Sequence, residues 1–266
     1  MLQRLRHAEI MRRVRSSGAT SVRDLASQLG VSPSTIRRDL EVLDRDGTLR
    51  RVRGGALARA GTGADIGAGG HVALDADAAR PFAAVDATDE REKEAVAARA
   101  AGLVGDGEVI LLDIGTTTMR LARRLRGRRV TVVTSSLAAF DVLRCDPEVE
   151  LLLLGGRLRR PYHSLVGVLT EAALSQVVAD RVFLGCSGVR PDGQLVDSTL
   201  AEVPLKRAMM AAAGQVVLLA DRHKFPGTGA LRVCGPEDVD VLVTNEGADE
   251  PTLRACAAAG TQVLLA

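Results

Sequence analysis

The chain has 266 residues, a net charge of +2, 46% hydrophobic residues and 26% charged residues. This composition is typical of a folded globular protein and excludes wholesale disorder and collagen-like repeats. No apolar run reaches the ~20 residues that a membrane-spanning helix needs, and the first residues lack the apolar core of a secretory signal, so we expect a cytoplasmic protein that does not contact the membrane. The four cysteines (Cys145, Cys186, Cys234 and Cys256) form no CxxC pair, which favours reduced, buried thiols over disulfides or a metal site.

The charge is unevenly distributed along the chain. Residues 1–60 contain 13 arginines and 6 acidic residues, a net charge of +7, whereas the remainder carries −5. A basic head on a mildly acidic body indicates that the head meets a polyanion. The chain has only one tyrosine and four phenylalanines to stack on bases, which argues against single-stranded DNA or RNA as that polyanion.

The basic head predicts a helix-turn-helix. Ser21 can cap a first helix with apolar residues at i, i+3, i+4 and i+7, Gly30 ends it in a tight turn, and Ser32 caps a second helix. Pro33 follows at the first helical position, where its missing N–H has no cost. The buried stripe of the second helix consists of Ile36, Leu40 and Leu43. Its polar first turns therefore face outward, as a recognition helix in the major groove requires.

The segment after Gly47 (TLRRVRGGA) is predicted to form a small hairpin, or wing, whose arginines suit phosphate or minor-groove contacts. Arg37 and Arg38 could grip guanine edges bidentately or contact phosphates alone, with Ser34 and Thr35 contacting the bases instead. The predicted DNA-contacting residues are Ser32, Ser34, Thr35, Arg37, Arg38, Arg50, Arg51 and Arg53.

The motifs of this head resemble the DNA-binding segment of the DeoR family of bacterial transcription regulators. The resemblance rests on the stretch VRDLASQLGVSPSTIRRDLEVLDRDGTLRRVRGGA, in particular on its TIRRDL and RGGA motifs. It implies a winged helix-turn-helix that binds double-stranded operator DNA.

Composition divides the chain into a DNA-binding domain at 1–57, a Gly/Ala-rich linker at 58–85 and an α/β domain at 86–266. In the last domain, apolar strands alternate with amphipathic helices, the pattern of a largely parallel sheet. The predicted helices are 90–104, Thr117–Leu125, Leu137–Arg144, 170–178, 203–213 and 251–259. The predicted strands are Glu108–Asp113, Val130–Thr134, Val149–Leu154, Arg181–Cys186, Gln215–Ala220, Val239–Thr244 and Thr261–Leu265.

Three strand ends in this domain carry small or hydroxyl residues. The turn Ile114–Thr118 follows the first strand and opens a helix, where backbone N–H groups, the helix dipole and threonine hydroxyls can hold a phosphate; an ordinary capped turn is the alternative. It lacks the lysine of a P-loop and the GxGxxG spacing, so nucleotide binding is disfavoured. Ser135 and Ser136 follow the second strand, and Gly155 and Gly156 the third. In open parallel sheets such turns converge on one crevice.

The resemblance to the DeoR family extends through this domain, in the DIGTTT turn and the stretches GGRLRRPYHSLVG, FLGCSGVRPDGQL and ADRHKF. It implies the family's C-terminal sensor domain, which is related to sugar-phosphate isomerases and binds a phosphorylated sugar or polyol phosphate. The implied effector-binding residues are Asp113, Gly115, Thr116, Thr117, Thr118, Ser135, Ser136, Gly155, Gly156, Gly188, Glu202, Lys206 and Lys224. The lysines could equally be solvated surface residues.

Two departures from the family pattern affect this site. Ser135 replaces a frequent asparagine, and Pro204 lies between Glu202 and Lys206, which can keep those charges from pairing at helical spacing unless the proline is in the first turn. The four histidines match no metal-ligand spacing, and we predict no metal, cofactor or catalytic residue.

The sequence therefore predicts an α+β two-domain repressor, a dimer or tetramer on a symmetric operator, controlled by the phosphorylated effector. Two alternatives remain open: a sugar-phosphate isomerase-like enzyme with an accessory DNA-binding head, using Glu202, Asp113 and Lys206 as acid–base groups, and a constitutive DNA-binding protein whose α/β domain serves only for oligomerisation.

Overall fold

The computed structural model describes residues 6, 7, 9, 10, 14, 19–45, 49–52, 55–58 and 81–266. The chain divides into two compact units, Met1–Gly70 and His71–Ala266. The predicted linker at 58–85 falls mostly outside the described residues, and its last residues begin a short helix of the second unit.

The first unit contains the predicted helix-turn-helix. Its elements are β1 (Ala19–Ser21), α1 (Val22–Leu29), α2 (Pro33–Arg45), β2 (Leu49–Val52) and β3 (Gly55–Ala58). Ser21 Oγ accepts the N–H of Asp24 at 3.1 Å, and Gly30 ends α1 in the left-handed conformation with φ of 63°. Buried residues of both helices, with Ile10, Val14, Leu49 and Ala56, form one small core.

The wing is a three-stranded antiparallel sheet in the order β1-β3-β2. The sequence predicts the hairpin of β2 and β3 but not β1, because a strand of three residues that ends at the helix cap Ser21 is too short to show alternation. The pairing of Thr20 with Ala56 ties the wing to the start of α1.

The second unit is built on a seven-stranded, wholly parallel sheet in the order β15-β14-β12-β9-β4-β5-β6. Its strands are β4 (Val109–Leu112), β5 (Val130–Thr134), β6 (Val149–Leu153), β9 (Ala179–Leu184), β12 (Ala213–Leu219), β14 (Val241–Thr244) and β15 (Gln262–Leu265). Its helices are α3 (Phe82–Asp86), α4 (Glu90–Ala101), α5 (Thr116–Arg124), α6 (Leu137–Leu143), α7 (Val168–Leu174), α8 (Val203–Ala211) and α9 (Glu250–Ala258). The parallel sheet and its crossover helices are confirmed.

Two hydrophobic clusters cover the sheet. One includes Val96 of α4 and Leu121 of α5, and the other includes Leu174 of α7 and Met209 of α8. Because both faces are covered, the central strands are apolar throughout, as their sequences predicted. Among the described residues, no helix is long and apolar enough to cross a bilayer.

Two smaller sheets were not predicted. Strands β7 (Arg157–Arg159) and β8 (Ser164–Val166) form a hairpin after β6, and β10 (Gly188–Val189), β11 (Leu195–Asp197) and β13 (Leu231–Cys234) form an antiparallel sheet. Leu165 N donates to Ser135 O at 2.9 Å, so the β7–β8 hairpin lies over the carboxyl end of β5. This placement decides which strand ends remain open.

Candidate functional site

The first turns of α2 present a polar, cationic surface. Ser32, Ser34, Arg37 and Arg38 are exposed and Thr35 is half-buried, whereas Ile36 on the opposite side is fully buried. The Ser32 hydroxyl lies 2.8 Å from both the Ser34 and the Thr35 hydroxyls, so these side chains are arranged by one another. Such a surface can meet base edges and phosphates of duplex DNA.

Asp39 lies on the recognition helix α2 and binds Arg6 and His7, which ties the helix to the start of the chain. The sequence did not predict this role. The Asp39 carboxylate accepts from Arg6 Nε at 2.5 Å and lies 2.9 Å from His7 Nε2, and the side chain is buried. Burial by itself raises the pKa of Asp39, but the hydrogen bonds from Arg6 and His7 outweigh it and lower the pKa. The wing strand β2 includes Arg50 and Arg51; their side chains, and Arg53, lie outside the described residues.

A cavity of about 260 Å³ opens at the carboxyl ends of β4 and β9 in the second unit. Its walls come from the turn after β4, the turn after β9, the strand β11 and the helices α3, α4 and α8. The residues that line it are Val85, Lys93, Asp113, Ile114, Gly115, Thr116, Thr117, Tyr162, Gly185, Cys186, Ser187, Asp197, Ser198, Glu202, Lys206, Leu219, Lys224 and Thr228. This is the position at which open parallel sheets bind ligands.

The N-terminus of α5 forms one side of the cavity. Gly115 is the N-cap and supplies no side-chain cap, and Thr116 and Thr117 follow in the first turn. The first N–H groups of a helix have no partner within the helix and carry the positive end of its dipole, so they attract an anion. Lys93 and Lys224 line the same cavity and add positive charge. This side can hold a phosphate.

A buried ion-pair network forms another wall. Lys206 Nζ pairs with Asp113, lies 3.5 Å from Asp197 Oδ2 and donates to Gly185 O at 2.9 Å, and all three charged side chains are at most 3% exposed. Burial alone would lower the pKa of Lys206, but the two carboxylates outweigh it and raise the pKa well above its ordinary value. The ammonium is therefore fixed in its charged form.

Acceptors and hydroxyls complete this wall. Asp113 Oδ1 is buried without a hydrogen-bond partner among the described residues, which leaves an acceptor for a ligand hydroxyl. Ser187 Oγ donates to Asp197 Oδ1 at 2.9 Å and lies 3.0 Å from Ser198 Oγ. Glu202 pairs with Arg159 of β7. Carboxylates and hydroxyls of this kind recognise a polyol.

The cavity brings together seven of the thirteen residues that the family resemblance implied. They are Asp113, Gly115, Thr116, Thr117, Glu202, Lys206 and Lys224. Pro204 lies in the first turn of α8, so it breaks no helical bond, and Lys206 N donates to Glu202 O at 2.8 Å. The side chain of Glu202 nevertheless pairs with Arg159, and that of Lys206 with Asp113 and Asp197.

Six implied residues do not line the cavity: Thr118, Ser135, Ser136, Gly155, Gly156 and Gly188. The Thr118 hydroxyl is occupied by Asp113 O at 2.6 Å, and the Ser136 hydroxyl caps α6. Ser135 is fully buried beneath the β7–β8 hairpin.

Gly156 and Gly188 lie where a side chain would clash, whereas a Cβ on Gly155 would meet nothing within 4 Å. Gly155 O accepts from Thr170 Oγ1 at 2.7 Å, and a Cβ on Gly156 would meet that same hydroxyl at 2.1 Å. A Cβ on Gly188 would lie 2.6 Å from Gly227 Cα. The three strand ends therefore do not share one crevice.

Several residues of the cavity were not found from the sequence. Asp197, Ser187 and Ser198 belong to an unpredicted strand and to turns that look like surface loops. Lys93 carried a signal: it lies on α4 at the i position of a stripe whose i+3, i+4 and i+7 members are buried. Cys186 also lines the cavity, and burial raises the pKa of its thiol to about 12, which keeps it protonated.

A winged helix-turn-helix with a polar recognition face, on one chain with an α/β unit that contains a cavity, is the arrangement expected of DNA-binding regulators with a sensor domain. Residues 6–60 match the DeoR-like helix-turn-helix domain, and residues 88–246 match the DeoR C terminal sensor domain. The chain belongs to the DeoR family of transcriptional regulators and is a DNA-binding protein.

Individual relatives agree with this assignment. The chain is 33% identical to the glycerol-3-phosphate regulon repressor of Haemophilus influenzae over 254 residues, 92% of this chain and 91% of the relative. It is 30% identical to the Escherichia coli protein of the same name, over 92% of both chains. Among solved structures, ribose 5-phosphate isomerase A from Methanocaldococcus jannaschii matches at a TM-score of 0.38 with 23% identity, covering 52% of this chain and 55% of that one.

Proposed function

We propose that the chain is a transcriptional repressor that a phosphorylated sugar or polyol phosphate releases from operator DNA, and that the cavity binds this effector. The observation that carries the proposal is the pairing, in one cavity of about 260 Å³, of an uncapped helix N-terminus with buried carboxylates. An anion site beside hydroxyl acceptors is complementary to a small molecule with a phosphate at one end and hydroxyls at the other. The names of the relatives make glycerol 3-phosphate the first compound to test.

We further propose that the cavity binds without catalysing a reaction. A sugar-phosphate isomerase needs a base and an acid that exchange protons near neutral pH. Lys206 is held charged by two aspartates, and Glu202 is paired with Arg159. All three acid–base candidates, Glu202, Asp113 and Lys206, are therefore engaged in ion pairs, which suits recognition better than proton transfer. Incubation with phosphorylated sugars, followed by NMR of the sugar carbons, tests this: any isomer formed in proportion to protein concentration contradicts the proposal.

The effector proposal is tested by thermal melting of the full chain against a panel of sugar and polyol phosphates. A ligand present at about 100 times its dissociation constant stabilises the folded state by about 2.7 kcal/mol, which a melting curve resolves. Thr117→Asp places a carboxylate at the helix N-terminus, where the dipole tolerates it but an anionic ligand is repelled. Thr117→Asn is the control of similar shape without the charge.

We expect a stabilising compound whose effect survives in Thr117→Asn better than in Thr117→Asp, and which weakens binding of the wild-type chain to DNA selected from a random pool. If no phosphorylated compound raises the melting temperature, the cavity is not the effector site. If a compound stabilises the chain and tightens its binding to DNA, the direction of control is the opposite of a releasing repressor.

We also propose a homo-oligomer, dimer or tetramer, because operators bound by such regulators mirror the symmetry of the protein. Exposed leucines support this proposal: Leu152 and Leu153 lie on β6, an edge strand of the sheet, and are 42% and 38% exposed. Light scattering after size exclusion tests it, and a monomer of 28.0 kDa at micromolar concentration contradicts it.

A further inference from the structure

The helix α3 is a wall of the cavity and also the first described element after residues 59–80. Val85 lines the cavity directly. Phe82 is buried, with its ring 5.6 Å from the ring of Tyr162 and 5.9 Å from that of His163. Tyr162 itself lines the cavity. The helix α3 is therefore both a wall of the cavity and the described part of the second unit that is nearest in sequence to the DNA-binding unit.

Lys93 holds the end of this wall. Its ammonium, 2% exposed, donates to Val85 O and to Thr88 O at 2.6 Å each, and it lies 3.3 Å from Thr88 Oγ1. The turn that it closes is costly by itself, because Asp89 adopts φ of +50°, the left-handed region that side chains disfavour. Lys93 thus helps to fix the conformation of residues 85–89.

The two buried lysines of the cavity, Lys93 and Lys206, differ in the groups that bind their ammonium charge. Lys206 is neutralised by two carboxylates at close range, whereas the described hydrogen-bond partners of Lys93 are two carbonyls and a hydroxyl. Burial lowers the pKa of Lys93, and the neighbouring charges of Lys224 and Arg120 lower it further against the opposing effect of Asp221 and Asp89. Lys93 is therefore a buried cation with no carboxylate among its described hydrogen-bond partners, and it lines the same cavity as a helix N-terminus that attracts an anion.

We infer that Lys93 binds the phosphate of the effector and, in doing so, releases the carbonyls of Val85 and Thr88, so that α3 reports whether the cavity is occupied. This inference rests on the proposed function. A charged phosphate oxygen is a stronger acceptor than a carbonyl, so the Lys93 ammonium donates to the phosphate in place of the carbonyls when a phosphate is bound.

A second tie joins α3 to the other side of the anion site. Arg120 of α5 donates to Asp86 O at 2.9 Å and to the Asp86 carboxylate at 2.6 Å. The N-terminus of that same helix forms the phosphate-binding wall. The end of α3 is thus held by two cations, and both belong to elements that line or begin at the cavity.

The experiment measures hydrogen–deuterium exchange of the peptide covering residues 81–89 in the full chain, with and without glycerol 3-phosphate or another panel compound that raises the melting temperature. Ala84 and Val85 N–H donate to Pro81 O, and Ala87 N–H to Ala83 O, so these amides report the opening of α3. We expect exchange to accelerate at least threefold when the ligand saturates the wild-type chain.

Two lysine variants then separate coupling from affinity. Lys93→Met is expected to bind at least tenfold more weakly and to show no ligand-dependent change in the 81–89 peptide at saturation. Lys224→Met is the matched control: it removes a cation from the same cavity that forms no described hydrogen bond to α3, so it weakens binding but keeps the exchange response.

The outcomes separate this inference from the proposed function. If no panel compound raises the melting temperature of the wild-type chain, the proposed function fails. If a compound raises it while exchange of residues 81–89 stays constant, the inference about Lys93 fails and the effector site stands. A Lys93→Met variant that retains the full exchange response also overturns the inference.

Discussion

Replacement of Lys206 by methionine tests the buried ion-pair network most directly. Methionine matches the length of the lysine stem but removes the charge that Asp113 and Asp197 share. Both carboxylates are at most 3% exposed, so water replaces the ammonium poorly. Breaking a buried pair by removing one partner costs about 3–5 kcal/mol. For a unit of this size, that loss lowers the melting temperature by roughly 6–20 °C.

A double-mutant cycle isolates the charge effect from the change in packing. Asp113→Asn alone leaves the Lys206 ammonium with only the more distant carboxylate of Asp197, at 3.5 Å. The combined variant removes the charges of both Lys206 and Asp113 and leaves only Asp197 without its cation, so we expect its loss to be smaller than the sum of the two single losses by about 1–3 kcal/mol. Urea unfolding of the four proteins, followed by circular dichroism, gives the four free energies.

Arg254→Met is the control, because Arg254 forms a 3.6 Å ion pair with Glu250 in which both side chains are 68% exposed. An exposed pair at i and i+4 contributes about 0.3–0.5 kcal/mol, so this variant should melt almost as the wild type does. If Lys206→Met also costs less than about 1 kcal/mol, or if the single losses simply add, the network does not hold the cavity together and our reasoning about its wall is wrong.

Three further predictions concern the glycines and the DNA-binding unit. Gly188→Ala should lower the free energy of unfolding by about 1–3 kcal/mol through overpacking, whereas the new methyl of Gly115→Ala meets only ordinary contacts and should change it by less than about 1 kcal/mol while weakening ligand binding. Equal melting temperatures of these two variants would contradict this prediction. Because the pKa of Asp39 is lowered in the folded state, its contribution to stability is complete above the pKa of the unfolded state, near 4, and is lost as the pH falls through the pKa of the folded state. Asp39→Asn should therefore lower the melting temperature more at pH 7 than at pH 3. Arg37→Ala and Arg38→Ala should each weaken DNA binding: a uniform loss across sequences with a salt slope reduced by about 1 indicates a phosphate contact, and relaxed specificity at one position indicates a base contact.

The sequence predicted what depends on local periodicity. Strands such as Val130–Thr134 and helices such as Leu137–Leu143 were placed within a residue or two, because buried strands and amphipathic helices differ in the spacing of apolar residues. The strand Gly188–Val189 has two residues, too few for any alternation, so the antiparallel sheet that carries Asp197 to the cavity was not predicted. The recognition helix was predicted with its polar face because caps and turn residues mark its start.

The candidate site was predicted in part, for a different reason. The turn after β4 is recognisable from local sequence, because a glycine and hydroxyl residues stand at the start of a helix, and that turn does line the cavity. The serines after β5 carry the same local pattern, yet the β7–β8 hairpin covers them through a contact of Leu165 with Ser135, 30 positions apart in the chain. A local pattern shows what a turn can bind, whereas long-range packing decides whether it is open.

We expect two walls of the cavity to respond differently to an effector. An effector changes the affinity for DNA only if it binds two conformations of the protein unequally, and typical couplings of 1–3 kcal/mol correspond to roughly 5- to 150-fold changes in affinity. The Asp113–Lys206–Asp197 network is buried and its members pair with one another, so we expect it to contribute to binding in both conformations alike. The wall formed by α3 is five residues long and is held by hydrogen bonds from Lys93 and Arg120 to its carboxyl end. Hydrogen bonds to charged groups contribute about 1.5–3 kcal/mol each, so the loss of one such bond from the end of α3 is of the size that this coupling requires.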